Sequence, residues 1–450
     1  MSTHQFTTRT AIAIVVANMI GTGVFTSLGF QLVDIQSTFV LMMLWLVGGV
    51  TALCGALTYA ELGSSLPRSG GEYNFLSEIY HPAAGFISGW ISATVGFAAP
   101  TALAAMTFGA YLEASISGLS ATVMASLLVI TLTLVHAFSH AASGGVQSVF
   151  TVLKVLLIIL FVGLVAFSVE NPQPVTLLPA AGDGTLLISS AFAVSLIYVN
   201  YAYTGWNAAT YIINEVEEPQ RSMPVILFTG TATVLVLYLL LNYTFLYAAP
   251  MAEMAGKIEI GVIVAQFAFG ETGGMIMGIV LATLLISTVS AMVIAGPRVL
   301  QVIGEDFTLF RLLSRKNANQ IPMIAIMTQS AVTLFFILTS TFESVLVFSG
   351  FVMGVNTFFA VAGVFLLRRR LAASELEDTE KSSYRTSYRT WGYPVTPLIY
   401  LGLMAWTLIY ILINRPEEGW AGLGMIVAGG LLYLLSEKLG KAKAGDNGLG

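Results

Sequence analysis

Three residues, Gly21-Thr22-Gly23, interrupt an apolar run at residues 11–28, AIAIVVANMIGTGVFTSL, that is long enough to cross a bilayer. Each glycine costs a helix about 1 kcal/mol against alanine, so a helix serving only as an anchor has no use for the pair. Two readings fit: a close helix–helix contact at small residues, or unwound backbone that binds a ligand at mid-membrane. In lipid, backbone that leaves the helix must be buried in protein or line a watery cavity. The sixth apolar stretch, SSAFAVSLIYVNYAYTGWNAATYIINEV, has the same anatomy with its break at Thr204-Gly205. The breaks align as Thr22-Gly23-Val24-Phe25 and Thr204-Gly205-Trp206-Asn207, about 180 residues apart. Two interrupted helices in corresponding positions of two halves point to a transporter built from inverted repeats. Half-helix N-termini offer N–H groups to a carboxylate, and half-helix C-termini offer carbonyls to an ammonium. A zwitterionic amino acid carries both groups.

Lys154, in VFTVLKVLLIILFV, is the charged residue deepest in an apolar segment. A lysine at a helix centre costs about 2.5–3.5 kcal/mol on insertion scales, so it must face protein or water. It either snorkels to the inner surface or stands as a fixed ammonium where a coupling cation would sit, bracing the first break. Desolvation disfavours a charged lysine, which keeps proton coupling open. Tyr201, Tyr203 and Trp206 surround the second break, where a tyrosine hydroxyl needs a partner. Tyr238 and Asn242 share a helix face and could complete a polar pocket; Asn356 is a weaker case. Glu61 reads as a structural interface group. His81, His136 and His140 are too scattered for a metal site, and no cofactor is expected.

The elements that must position these residues follow from composition. Of 450 residues, 56% are hydrophobic and 10% charged, and mean hydropathy is +0.83, far from a soluble domain in which about a quarter of residues are charged. Apolar runs suggest twelve spans at roughly 9–30, 38–63, 84–112, 120–138, 146–169, 187–212, 223–248, 273–301, 322–340, 344–368, 394–413 and 419–436. The chain therefore reads as one integral membrane domain, residues 1–450. With both termini inside, external loops carry Lys257 and Arg415, Lys154 lies within a span, and the other sixteen of nineteen basic residues fall at inner ends or loops, as the positive-inside rule asks. The loop at residues 250–272 is external, with IGVIVAQFAF as a surface helix capping that side. The net charge of −5 carries no signal for nucleic acid. The single cysteine, Cys54, provides no disulfide framework.

At these residues the chain resembles the amino acid–polyamine–organocation superfamily, and within it the L-type amino acid transporter group, bacterial members included. The resemblance rests on IGTGVF at Ile20 to Phe25, YAELGSSLPRSGGEY at Tyr59 to Tyr73, VQSVFTVLK ending at Lys154, YAYTGWN at Tyr201 to Asn207, NEVEEPQRSMP at Asn214 to Pro224 and WGYPVTP at Trp391 to Pro397. It implies an all-α, LeuT-like fold: five-plus-five inverted repeats, about 9–169 and 187–368, with helices 1 and 6 broken, and two further helices at 394–436. It also implies sodium-independent amino acid transport at the plasma membrane. By position, amides around Gly21, Thr22, Gly23 and Val24 would bind the substrate carboxylate, and carbonyls near Ile20, Tyr201, Ala202 and Thr204 its amino group. Tyr203 and Gly205 complete the second break. Tyr201 takes the place of an aromatic gate, Lys154 that of a lysine replacing a sodium site, and Tyr238 that of a tyrosine linking this lysine to the pocket. Thr22 replaces a commoner serine and Thr204 a commoner glycine, which would narrow the pocket toward smaller side chains. No cysteine lies between spans three and four, so a disulfide-linked heavy chain is not expected. Exchange of neutral L-amino acids is the leading expectation, with proton-coupled uptake and non-transporting sensing as alternatives. No cluster of His, Asp and Glu favours an enzyme.

Overall fold

A computed structural model describes residues 6–138, 144–317, 321–376 and 388–446; His140 lies outside them. Helices occupy every apolar stretch read from the sequence. The first stretch is two helices, α1 (Thr8–Met19) and α2 (Gly23–Asp34), parted at Ile20, Gly21 and Thr22. Thr7 caps α1 through its hydroxyl, whereas α2 starts with no side-chain cap, leaving its first amides for another acceptor. Helix α3 (Thr38–Ser65) leads through α4 (Glu72–Ile79) to α5 (Pro82–Ile91). A π-helical turn, Ser92–Gly96, joins α5 to α6 (Ala98–Ser115); the sequence reading had no signal for it. Next come α7 (Ala121–Phe138), α8 (Gly144–Ser168) and the short α9 (Asp183–Leu187).

Helix α10 (Ser190–Tyr203) ends at the second break, and the chain resumes as a 3-10 helix, Ala208–Glu215, rather than as a second α-helical half. Then follow α11 (Pro219–Ala248), α12 (Met251–Met254), α13 (Ile260–Asp306), α14 (Met323–Thr339), α15 (Phe342–Leu376), α16 (Val395–Asn414) and α17 (Pro416–Asp446). The apolar segment expected as a capping helix forms the start of α13, kinked from the rest at Gly270 (φ 74°). It is packed in: Ile260, Val262, Val264 and Ala265 are all buried. Gly256 donates its amide to the Gly29 carbonyl at 2.8 Å, so the 250–260 connection grips α2.

Among the described residues, nine helical stretches are long and apolar enough to cross a membrane, and Val152–Ser168 and Met323–Thr339 are shorter apolar helices. The chain is a multi-pass membrane protein. Its outer faces carry exposed Leu127, Ile130 and Leu134 on α7 and Val236 and Leu240 on α11, as lipid contact allows. Trp45, Tyr59, Tyr203 and Tyr238 are fully buried beneath the two breaks. Glu61 is an interface group, as its position near the end of α3 suggests. Arg368 donates to both its oxygens, at 2.7 and 2.8 Å, and Thr390 adds its amide and hydroxyl. This buried pair ties α3 to α15 and to the loop before α16.

Candidate functional site

The two breaks cross one another. Gly23 packs against Ala202, the residue two before Thr204, and Gly205 packs against the backbone of Asn18, near the end of α1. A Cβ on Gly205 would lie 2.7 Å from the Asn18 carbonyl oxygen, and its φ of 106° is one that glycine alone adopts readily. Gly21 differs: a Cβ there would meet nothing nearer than the Met19 carbonyl oxygen at 4.0 Å. The close-contact reading of the first break holds at Gly23. At Gly21 the chain has left the helix with open space beside it, its own amide donating to the Met19 carbonyl at 2.8 Å.

The open backbone faces a cavity of about 640 Å³ that runs along α1 from the breaks to exposed Thr10. Of the residues singled out in sequence, Ile20, Gly21, Thr22, Gly23, Tyr201, Ala202, Tyr203, Thr204, Gly205 and Lys154 all line it. Val24 does not: its side chain is buried in the core, which leaves its amide as the group near the break. At the cavity, the uncapped N-terminus of α2 offers amides and the C-terminus of α10 offers carbonyls, a pairing of opposite partial charges. Among the described lining residues Lys154 alone is charged; Val95, Phe97, Met292, Met353 and Met404 make the walls largely apolar.

Tyr238 lies outside the cavity and acts on the breaks from behind. Its hydroxyl reaches the carbonyl oxygens of Met19 at 2.6 Å and Ala202 at 3.1 Å, the ends of α1 and α10. One side chain thus spans both interrupted helices. Its ring meets Trp45 edge-on at 5.7 Å and Tyr203 at 5.0 Å, while the Tyr203 hydroxyl donates to the Trp45 carbonyl at 3.2 Å. Asn242 is fully buried and donates to the Tyr238 carbonyl at 2.8 Å, so it braces α11 and is no part of the cavity lining. Neither is Asn356, which is also buried. Tyr201 is half-buried and lines the cavity together with Thr22.

Lys154 is buried, and its ammonium donates to the Thr288 hydroxyl on α13 at 2.7 Å. It does not snorkel. Lys154 also borders a small cavity of about 20 Å³ shared with Gly21, Thr22 and Thr288, so it stands beside the first break, whose preceding carbonyl at Met19 is held by Tyr238. Thr288 was missed in the sequence reading, although the polar run Ser287-Thr288 within an apolar helix is a visible signal. Asn207 and Tyr211, which also line the cavity, were legible only as neighbours of the second break.

The opposite end is closed. The Ser27 hydroxyl donates to the Tyr198 carbonyl at 3.2 Å, and Phe30 packs between Tyr198 and Phe342 at 5.8 and 5.5 Å. The Tyr198 hydroxyl donates to Glu343 at 2.5 Å, and Arg415 pairs with the same carboxylate.

The chain is similar to known proteins over most of its length. The family model described as amino acid permease matches residues 6–434. The rat large neutral amino acids transporter small subunit 2 is 26% identical over 441 residues, 94% of this chain and 79% of the relative. The human b(0,+)-type amino acid transporter 1 is 24% identical over 437 residues, 94% of this chain and 85% of the relative. The human cystine/glutamate transporter is 24% identical over 366 residues, 79% of this chain and 72% of the relative. All three names are those of transporters rather than enzymes. The family model spans nearly the whole chain, and the chain belongs to the amino acid permease family of the amino acid–polyamine–organocation superfamily.

Proposed function

We propose that the protein moves neutral L-amino acids across the plasma membrane by alternating access, as a sodium-independent exchanger. The observation that carries this reading is the meeting of an uncapped helix N-terminus at Thr22–Val24 with a helix C-terminus at Tyr201–Thr204 on one cavity. The α2 amides receive the substrate carboxylate, and carbonyls of Ile20 and Tyr201 to Thr204 receive the ammonium, each matched by the partial charge of its helix end. The walls beyond are apolar, which suits uncharged side chains. Lys154 supplies a fixed positive charge beside the first break, the reason for assigning no sodium site. Tyr201 works as the aromatic gate over the bound amino acid.

Residues 1–450 form one transport domain with twelve spans, in inverted repeats at about 9–169 and 187–368 followed by two helices at 394–436, on a LeuT-like plan. Both termini lie in the cytoplasm, so the cavity that reaches Thr10 opens inward. Cys54 is buried in α3, which supports a chain that works without a disulfide-linked heavy chain. Transport requires that the substrate bind the open and occluded states with different free energies.

Purified protein in liposomes tests the reading. Labelled neutral amino acid should enter only when unlabelled amino acid is trapped inside. Uptake driven by a proton gradient alone would replace exchange by proton coupling through Lys154, and binding without uptake would make the protein a sensor.

A further inference from the structure

The motif Ser69-Gly70-Gly71-Glu72 has no part in the site as described, yet it docks onto the chain just beyond the second break. Glu72, in the first turn of α4, is fully buried. Its Oε1 accepts from the Tyr59 hydroxyl at 2.9 Å and from Asn207 Nδ2 at 2.5 Å, and its Oε2 accepts from the Tyr211 hydroxyl at 2.6 Å. The ion pairs found among the described residues do not include it. A buried carboxylate without a cation is costly unless several donors satisfy it, and bonds to an ionised acceptor are about twice as strong as neutral ones. Three donors thus converge on two carboxylate oxygens. A glutamine keeps one acceptor oxygen, turns the other position into a donor and so forces the Tyr211 hydroxyl to accept there instead of donate.

Two further contacts seat the same segment. The Tyr211 ring lies against Gly71, whose φ is 54° and whose added Cβ would sit 2.6 Å from Tyr211 Cε1. Ser69 Oγ accepts the Asn214 amide at 3.1 Å. Residues 204–207 are a turn rather than a helix, so the backbone ladder alone does not fix their orientation. Asn207, two residues past Gly205, is their side-chain anchor to the scaffold. Trp206 between them is held edge-on by Tyr59 at 4.7 Å and by Tyr400 at 6.3 Å, and Tyr59 is itself a Glu72 donor.

We propose that Glu72 is the positioning residue of the second break: through Asn207 and Tyr211 it sets the orientation of the Thr204–Gly205 backbone and thereby the affinity of the substrate site. The inference rests on the transport reading above. Glu72 touches no substrate in this assignment; it acts through the segment it holds.

The test uses the purified full chain and equilibrium binding of a radiolabelled amino acid, chosen by competition among the twenty. Glu72→Gln should raise the dissociation constant about tenfold or more and lower the melting temperature, because buried donors lose an ionised acceptor. Glu61→Gln, also destabilised but at a pair away from the break, should keep the wild-type constant, and Tyr211→Phe should raise it about threefold. The double variant should be no weaker than Glu72→Gln alone, because both act through one cluster. An unchanged constant in Glu72→Gln, or effects that multiply in the double variant, overturns the assignment. If Glu72→Gln does not fold, Tyr59→Phe decides, since it removes a Glu72 donor that lies outside the cavity lining: an unchanged constant there overturns the assignment, and a threefold rise supports it. Wild-type protein that binds none of the twenty defeats the transport reading itself, whereas wild-type binding with an indifferent Glu72→Gln defeats this proposal alone.

Discussion

Gly23 lies against the backbone of Ala202 so closely that a Cβ added to it would sit 2.5 Å from the Ala202 Cα. Backbone cannot retreat there as a flexible side chain would. The two interrupted helices are therefore joined at a contact that also sets where the α2 amides point.

This predicts opposite outcomes at the two glycines of the first break. Gly23→Ala should destabilise the protein by about 1–3 kcal/mol, the range for an overpacked core, and lower its melting temperature along with binding. Gly21→Ala should leave stability within about 0.5 kcal/mol, as for substitutions that meet open space, but weaken amino acid binding because the methyl enters the substrate's space. Melting curves with paired binding isotherms check both. Equal thermal loss in the two variants would refute the division of labour.

Lys154→Ala should cut transport at least about tenfold with a much smaller loss of folded protein. Thr288→Val, which removes the hydroxyl at 2.7 Å from the ammonium, should reproduce much of that loss because a buried charge is left short of a partner. Uptake rates normalised to folded protein are the readout. Normal kinetics in Lys154→Ala would remove the lysine from the mechanism.

Tyr238→Phe keeps the ring against Trp45 and Tyr203 and deletes the hydroxyl shared by the Met19 and Ala202 carbonyls. The expected cost is about 1–3 kcal/mol, the range for stranding buried acceptors. Because both carbonyls belong to helix ends at the site, affinity should fall together with melting temperature. A variant with wild-type affinity would show that the bridge is structural only.

Glu61→Gln should behave differently. Breaking a buried ion pair costs about 3–5 kcal/mol, and the lower end applies because Arg368 is 22% exposed. Substrate affinity should stay near wild type, since this pair joins α3, α15 and the loop before α16. Replacing Glu61 and Arg368 together with apolar residues should be less damaging than replacing either alone.

The helices and the breaks were legible in the sequence because lipid enforces simple rules: apolar length sets a span, and paired Gly-Thr interruptions have no cheap alternative in hydrocarbon. The ten residues of the expected site that line the cavity were found for the same reason. Val24, read for its backbone amide, and Tyr238, read as a link between Lys154 and the pocket, keep their side chains out of the lining, because neither period nor motif says which face of a helix meets a void. The Tyr238 hydroxyl bridges two breaks far apart in sequence, a relation that only the crossing creates. The Glu72 cluster was hidden inside a recognised motif, since its donors come from α3 and from the 3-10 helix at Ala208–Glu215. The π-helical turn at Ser92–Gly96 depends on neighbouring packing and has no local signature.

The cavity reaches the exterior past Thr10, while Phe30, Tyr198, Phe342 and the Glu343–Arg415 pair seal the far end. Occupancy in this conformation is accordingly in equilibrium with a single compartment. An affinity measured on protein trapped in it is that of the open side alone, for loading and unloading alike, and it stays the same however high the concentration is raised on the sealed side. In the cycle proposed above, asymmetry between the two directions of flux is thus a property each half can tune separately, by changing residues at one seal without touching the crossed backbone between them.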